Sequence, residues 1–269
     1  MSVNIFRFEF QSRLRTVLTW SLAIAAILLV FYSVYTGFAD QAALMNQMLQ
    51  RFPPVMLEAF GLTDVDLSSV LGFYSLASLF VMLCLAIQAG NYGFGLVSIE
   101  ENELTADFLL TKPVSRVQVL TSKLLAALAS LILTNLVVWA ASFLAITLFK
   151  GSHSYNAFTL ILLLKGFFIF QLFFLCVGLF ISLLVKRIRS VTPYSLGLAF
   201  GAYVLAALGD VAGDVKLEWL TPFKHFDPSY IIQHNNYEWP MVALNMAISI
   251  VAVAVSYWLY LRRDIHAVS

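Results

Sequence analysis

Charge is what this sequence has least of. Only 12% of its 269 residues are Asp, Glu, Lys or Arg, where a soluble domain carries roughly 25%. The net charge of +1 offers no argument for a nucleic-acid partner. Cysteine is nearly missing: Cys84 and Cys176 stand alone inside apolar runs, without disulfide-framework or metal-ligand spacing, and read as inert thiols. There is no H-E-x-x-H pair, and His153, His225, His234 and His266 all fall outside the apolar runs, which argues against a zinc hydrolase. Nor is there a G-x-x-x-x-G-K-[ST] phosphate loop, so energy from a nucleotide would have to come from another polypeptide.

What the chain has instead is apolar surface, 61% of its residues. A protein of this size cannot bury so much internally, so lipid must cover it. Runs long enough to span a bilayer, about 20 residues each, lie at roughly 17–38, 69–97, 124–149, 166–185, 191–209 and 241–261. The first resembles a signal peptide only in Gly37 and Ala39; its apolar stretch exceeds the roughly 7–15 residues of a signal core and reads as a retained span. The basic residues set the orientation. Eleven (Arg7, Arg13, Arg15, Lys112, Arg116, Lys123, Lys186, Arg187, Arg189, Arg262, Arg263) fall on one side and five (Arg51, Lys150, Lys165, Lys216, Lys224) on the other. That bias places both termini in the cytoplasm. Phe6, Phe10, Leu14 and Val17 recur on one helical face among Arg7, Arg13 and Arg15, a pattern for an interfacial helix that precedes the first span. The outer segments 39–68 and 210–240 carry Pro and aromatic residues and predict short helices at the outer mouth, with Trp219, Tyr237 and Trp239 at headgroup level.

No Asp, Glu, Arg or His falls within the six runs, and Lys165 sits at the end of one. Such residues mark proton relays and ion-coupling sites, so their absence weighs against an ion-coupled carrier and an intramembrane protease. Among the polar residues that remain, Gln88, Asn91, Asn135 and Gln171 read first as hydrogen-bond glue between helices. Gly197 and Gly201 form a G-x-x-x-G in the fifth run, which permits close approach of a second chain.

The longest inner loop runs from Ser98 to Arg116. Ser98 and Glu101 have capping-box spacing, predicting that a new helix starts as the second span ends. Glu100, Glu101 and Glu103 then occupy its first turn, where the helix dipole favours negative charge. Leu104 and Phe108 form an apolar stripe, and Pro113 ends the helix. From about Val114 a second helix continues through Lys123 into the third span. A short acidic helix with an apolar ridge suits insertion into a groove on a partner. The competing reading is a helix resting on the inner membrane surface, where acidic residues meet anionic lipid unfavourably.

Here the chain resembles a family. Glu100-Glu101-Asn102-Glu103, then Phe108-Leu109-Leu110-Thr111-Lys112-Pro113-Val114-Ser115-Arg116 and Lys123-Leu124-Leu125, is similar to the pattern of ABC-2 type permeases, the membrane subunits of bacterial ABC exporters. Leu220-Thr221-Pro222-Phe223-Lys224-His225-Phe226-Asp227-Pro228 resembles the segment those permeases carry before their last span. The resemblance implies an all-α integral membrane protein of the bacterial plasma membrane, one permease domain over 1–269. Its parts would be six transmembrane helices, an N-terminal interfacial helix and a cytoplasmic coupling helix between the second and third spans. It further implies that Glu100, Glu101, Glu103, Leu104, Asp107, Phe108, Pro113, Ser115 and Arg116 dock on a separate ATP-binding subunit. That subunit would hold ATP and Mg, while this chain binds no cofactor and catalyses nothing. A second permease chain, the same or different, would complete the path, with Gly197 and Gly201 as contact residues. The many phenylalanines and uncharged spans point to an amphipathic peptide, drug or lipid-like cargo. A secondary carrier without an ATPase and a non-transporting scaffold or sensor are the alternatives.

Overall fold

The computed structural model describes residues 2–41, 51, 53, 56–57, 66–102, 114–185, 188–213 and 215–262. Among them there is no strand, and the helices are α1 (Val3–Ser33), α2 (Tyr35–Asp40), α3 (Val70–Asn102), α4 (Arg116–Phe149), α5 (Ala157–Leu184), α6 (Val191–Ala212), α7 (Val215–Glu218), α8 (Pro222–His225), α9 (Pro228–His234) and α10 (Trp239–Arg262). Six are long and apolar enough to cross a membrane: α1 with α2, α3, α4, α5, α6 and α10. They alternate in direction. One end of the bundle, the near end, gathers the start of α1, the end of α3, the start of α4 and the end of α10; the far end gathers α2, α7, α8 and α9.

Helices α3 and α5 form the centre, with 67% and 61% of their apolar windows buried, against 28% for α1, α6 and α10. Glycine makes the central contact possible. A Cβ on Gly93 would stand 2.3 Å from the Leu175 carbonyl oxygen and 3.0 Å from the Leu179 nitrogen. On α5, a Cβ on Gly178 would stand 3.3 Å from the Gly90 oxygen. Backbone thus lies on backbone, where dispersion rather than water exclusion holds membrane helices together. Polar side chains fix the register across the same contact. Gln88 Nε2 donates to Thr134 Oγ1 at 2.8 Å, Gln171 Nε2 donates to Gln88 Oε1 at 3.3 Å, and Asn135 Nδ2 donates to Gln171 Oε1 at 2.5 Å. These bonds join α3, α4 and α5. Asn91 Oδ1 accepts from Ser195 Oγ at 2.7 Å and ties α3 to α6. All four amides noted in the sequence therefore serve as interhelical bonds.

Two sequence expectations need correction. The N-terminal helix is not a separate interfacial element, because residues 3–33 form one helix of roughly 46 Å, longer than the hydrocarbon layer of about 30 Å. Its buried seam is Arg13, Val17, Ser21, Ile24, Leu28 and Tyr32, so that of the expected stripe Phe6, Phe10, Leu14 and Val17 only Val17 belongs to it, and the helix packs chiefly on α4. Ser98 is not an N-cap: α3 continues through it to Asn102. Its buried hydroxyl donates to the Phe94 carbonyl at 2.6 Å, the back-bond a mid-helix serine makes. Tyr237, unlike exposed Trp219 and Trp239, is buried; its hydroxyl donates to the Leu162 carbonyl at 2.5 Å and its ring meets that of Trp239 edge-on at 5.7 Å.

Candidate functional site

The near end holds the two roots of segment 103–113, since α3 is described as far as Asn102 and α4 starts at Arg116. Glu103, Leu104, Asp107, Phe108 and Pro113 lie outside the described residues. Glu100 and Glu101 fall on the last turn of α3. Ser115 has a local task. Its Oγ accepts from the Gln118 amide at 3.2 Å while Gln118 Oε1 accepts from the Ser115 amide at 3.1 Å, a reciprocal cap that starts α4. Arg116 Nη1 donates to the Tyr260 carbonyl at 3.4 Å, and Thr121 Oγ1 shares a 2.8 Å hydrogen bond with Tyr257 Oη. The root of α4 is thereby tied to the end of α10.

The other side of this root carries a buried ion cluster that the sequence reading did not assemble. Glu9 Oε2 pairs with Arg13 Nη2 at 2.9 Å, and its Oε1 stands 3.7 Å from Lys123 Nζ. Lys123 is only 2% exposed and donates to the Leu96 carbonyl of α3 at 2.6 Å. Arg13 donates to the Lys123 carbonyl at 3.4 Å and lies over the Tyr92 ring at 5.7 Å. The Ser2 amide donates to Ser122 Oγ at 2.8 Å. The i,i+4 spacing of Glu9 and Arg13 was the one visible signal; which distant cation would join them was not encoded locally.

At the far end, the segment 220–228 folds back into the bundle. Phe223 meets Phe170, Phe174 and Tyr203 edge-on at 5.0, 6.1 and 5.7 Å, and Thr221 Oγ1 donates to the Ala202 carbonyl at 2.7 Å. Lys224 lies between Asp210 (2.5 Å) and Asp227 (3.2 Å). Burial pulls its ammonium down, but the two carboxylates more than offset this, and its pKa stands above the ordinary lysine value. A small cleft opens here, with Leu79, Met82, Tyr203 and Phe223 below and Asp210, Lys224 and Asp227 at the rim.

His225 is 2% exposed. Its Nε2 lies 3.2 Å from the Trp219 carbonyl and its Nδ1 lies 3.4 Å from Asn245 Nδ2, an arrangement for the neutral Nε2–H tautomer. Burial pushes its pKa below the ordinary histidine value, with the Trp219 bond opposing. A depressed histidine stabilises the fold above the unfolded pKa, near 6.5, and that stability is lost as pH falls through the folded value. The raised pKa of half-buried Glu218, caused first by burial, has the opposite sign, and its window opens from about pH 4.5 upward. Thermal stability in detergent is therefore expected to fall between pH 8 and 5.5 in the unaltered chain. In His225→Gln it is expected to change much less; an equal fall in both would assign the pH dependence elsewhere.

Gly197 and Gly201 are exposed on α6, and a Cβ on either would meet nothing within 4 Å. Among the described residues they contact no other helix, unlike Gly90, Gly93 and Gly178. Their face is open to lipid or to another chain.

Compared with known families, residues 3–265 match the model described as ABC-2 family transporter protein. No curated protein matches the chain.

Proposed function

Because the chain belongs to the ABC-2 transporter family, and is thus a multi-pass permease subunit, we propose that it is the membrane half of an ATP-driven exporter. It docks on a separate ATP-binding subunit through 103–113 and its flanks. The observation that carries this reading is the placement of both roots of that segment at one end of the bundle, each anchored to other spanning helices. The near end carries Arg7, Arg13, Arg15, Arg116, Lys123, Arg189 and Arg262, an excess that supports a cytoplasmic near end, in a bacterium on the inner face of the plasma membrane. Residues 1–269 act as one permease domain, and ATP and Mg reside in the partner.

Two permease chains, identical or not, enclose the path, with the open face around Gly197 and Gly201 as their contact. The far-end cleft, apolar below and charged at its rim, supports an amphipathic peptide, drug or lipid-like cargo. The test is to express a tagged copy in its native host, solubilise it gently and identify what accompanies it. An ATP-binding protein with a phosphate loop, in equal amount, and ATP-dependent flux in vesicles are the expected results. A chain that purifies alone in several mild detergents, or flux driven by gradients without ATP, would overturn the reading in favour of a carrier or scaffold.

A further inference from the structure

A lysine ammonium buried at 2% exposure calls for a physical account. Buried ion pairs are weak evidence for stability, because well-packed apolar residues of like volume often do as well. What a charge cluster supplies is a defined geometry with two or more elements held at fixed distance and angle. The elements held here are specific. Leu96 lies on the last two turns of α3, Lys123 on the second turn of α4, and Glu9 and Arg13 near the start of α1. One ammonium thus joins the outgoing root of segment 103–113 to its returning root, at 2.6 Å, and both to a third helix through Glu9 at 3.7 Å. The Arg13 bond to the Lys123 carbonyl and the Ser2 bond to Ser122 add to the hold on the same turn of α4.

We propose that Lys123, with Glu9 and Arg13, is the transmission joint of the transporter: it makes the two roots and the start of α1 move as one body when the ATP-binding subunit displaces segment 103–113. This rests on the exporter reading above. Without the joint, a push on 103–113 would open the hairpin between α3 and α4 and be absorbed there. With it, the push tilts α1, whose buried seam carries the movement along α4 to Tyr32 and Tyr35. At the far end those two hydroxyls donate to the Val70 and Ser68 carbonyls at 2.8 and 2.9 Å. Lys123 is a positioning residue in this scheme and touches no substrate.

The test uses the complete complex with its co-purified ATPase. Spin labels are placed at Val34→Cys and Val211→Cys, exposed far-end positions on the first and fifth spans, in a Cys84→Ala, Cys176→Ala background. Their separation is measured with and without ATP and vanadate. Nucleotide trapping is expected to shift the distance in the otherwise unaltered chain. In Lys123→Met and Glu9→Gln, the same ATPase should co-purify and hydrolyse ATP, while the shifted population falls about fivefold or more; Lys123→Arg should keep the shift. A full shift in Lys123→Met, or loss of the ATPase from that variant, would overturn the proposal, since the cluster would then serve packing or docking. Should Lys123→Met fail to fold, Glu9→Gln, whose side chain is 15% exposed, decides in the same way; if neither folds, the cluster is a folding determinant and the proposal fails. A complex that hydrolyses ATP but shows no shift in the unaltered chain overturns the joint alone, whereas a chain that purifies without an ATPase overturns the exporter reading beneath it.

Discussion

Replacing Leu104 and Phe108 together by Asp is expected to leave the membrane bundle folded and to strip it of its ATP-binding partner. The two residues are four apart in a segment between spans, and both lie outside the described residues. As anchors in a partner groove, each would contribute about 1.5–3 kcal/mol of apolar burial. A carboxylate in the same groove adds a desolvation cost. A loss of about 4 kcal/mol or more lowers affinity roughly a thousandfold, enough to turn a stable complex into one that does not survive purification. The measurement is the amount of ATPase recovered per permease, beside thermal stability of the permease itself. Replacing Glu100 and Glu101 by Gln should act differently, since rim charges govern encounter rate and salt sensitivity more than retention. If the Leu104/Phe108 variant keeps its partner at full ratio, segment 103–113 is not the dock.

How the sequence maps onto the structure follows from the solvent. Length and hydropathy revealed six spanning helices because bilayer thickness sets a minimum run of apolar residues. The return of the chain at 220–228 was visible through its prolines and aromatics, and the cap at Ser115 begins the helix expected from about Val114. Partners were far less legible. In lipid both the buried and the outward faces of a helix are apolar, so the periodicity that betrays a core face in water is muted. The stripe Phe6, Phe10, Leu14 and Val17 looked like a membrane-facing surface, yet only Val17 of these lies in the true seam of α1, which begins with Arg13 and includes Ser21. Gly197 and Gly201 attracted notice through a known spacing, while the close helix contact in the chain uses Gly90, Gly93 and Gly178, which have no such motif between them. Ser98 and Glu101 matched a capping box, but capping also requires that the preceding turn end, and nothing before Ser98 breaks the helix. Glu9 and Lys123 are more than a hundred positions apart, and only the packing of α1 on α4 brings them together.

The same contrast between glycines gives the second large effect, expected inside the bundle. A methyl added at Gly93 would stand 2.3 Å from the Leu175 carbonyl oxygen and 3.0 Å from the Leu179 nitrogen. Both obstacles are backbone atoms of a continuous helix, so no side-chain rotation relieves them, and α3 and α5 must separate. Separation there stretches the nearby bonds of Gln171 to Gln88 and of Asn135 to Gln171, for which the 3.3 and 2.5 Å spacings leave little slack. Overpacking and weakened interhelical hydrogen bonds together are expected to cost about 3 kcal/mol or more in Gly93→Ala. Gly201→Ala, with nothing within 4 Å, should alter the stability of the chain by less than about 0.5 kcal/mol. Thermal inactivation and monodisperse yield in one detergent, measured side by side, give the comparison. Equal behaviour of the two variants would mean that α3 and α5 do not meet backbone to backbone. If Gly201→Ala instead spares the chain while shifting permease pairs toward single chains, its open face is the surface on which the second copy sits, because no contact among the described residues is there for the added methyl to disturb.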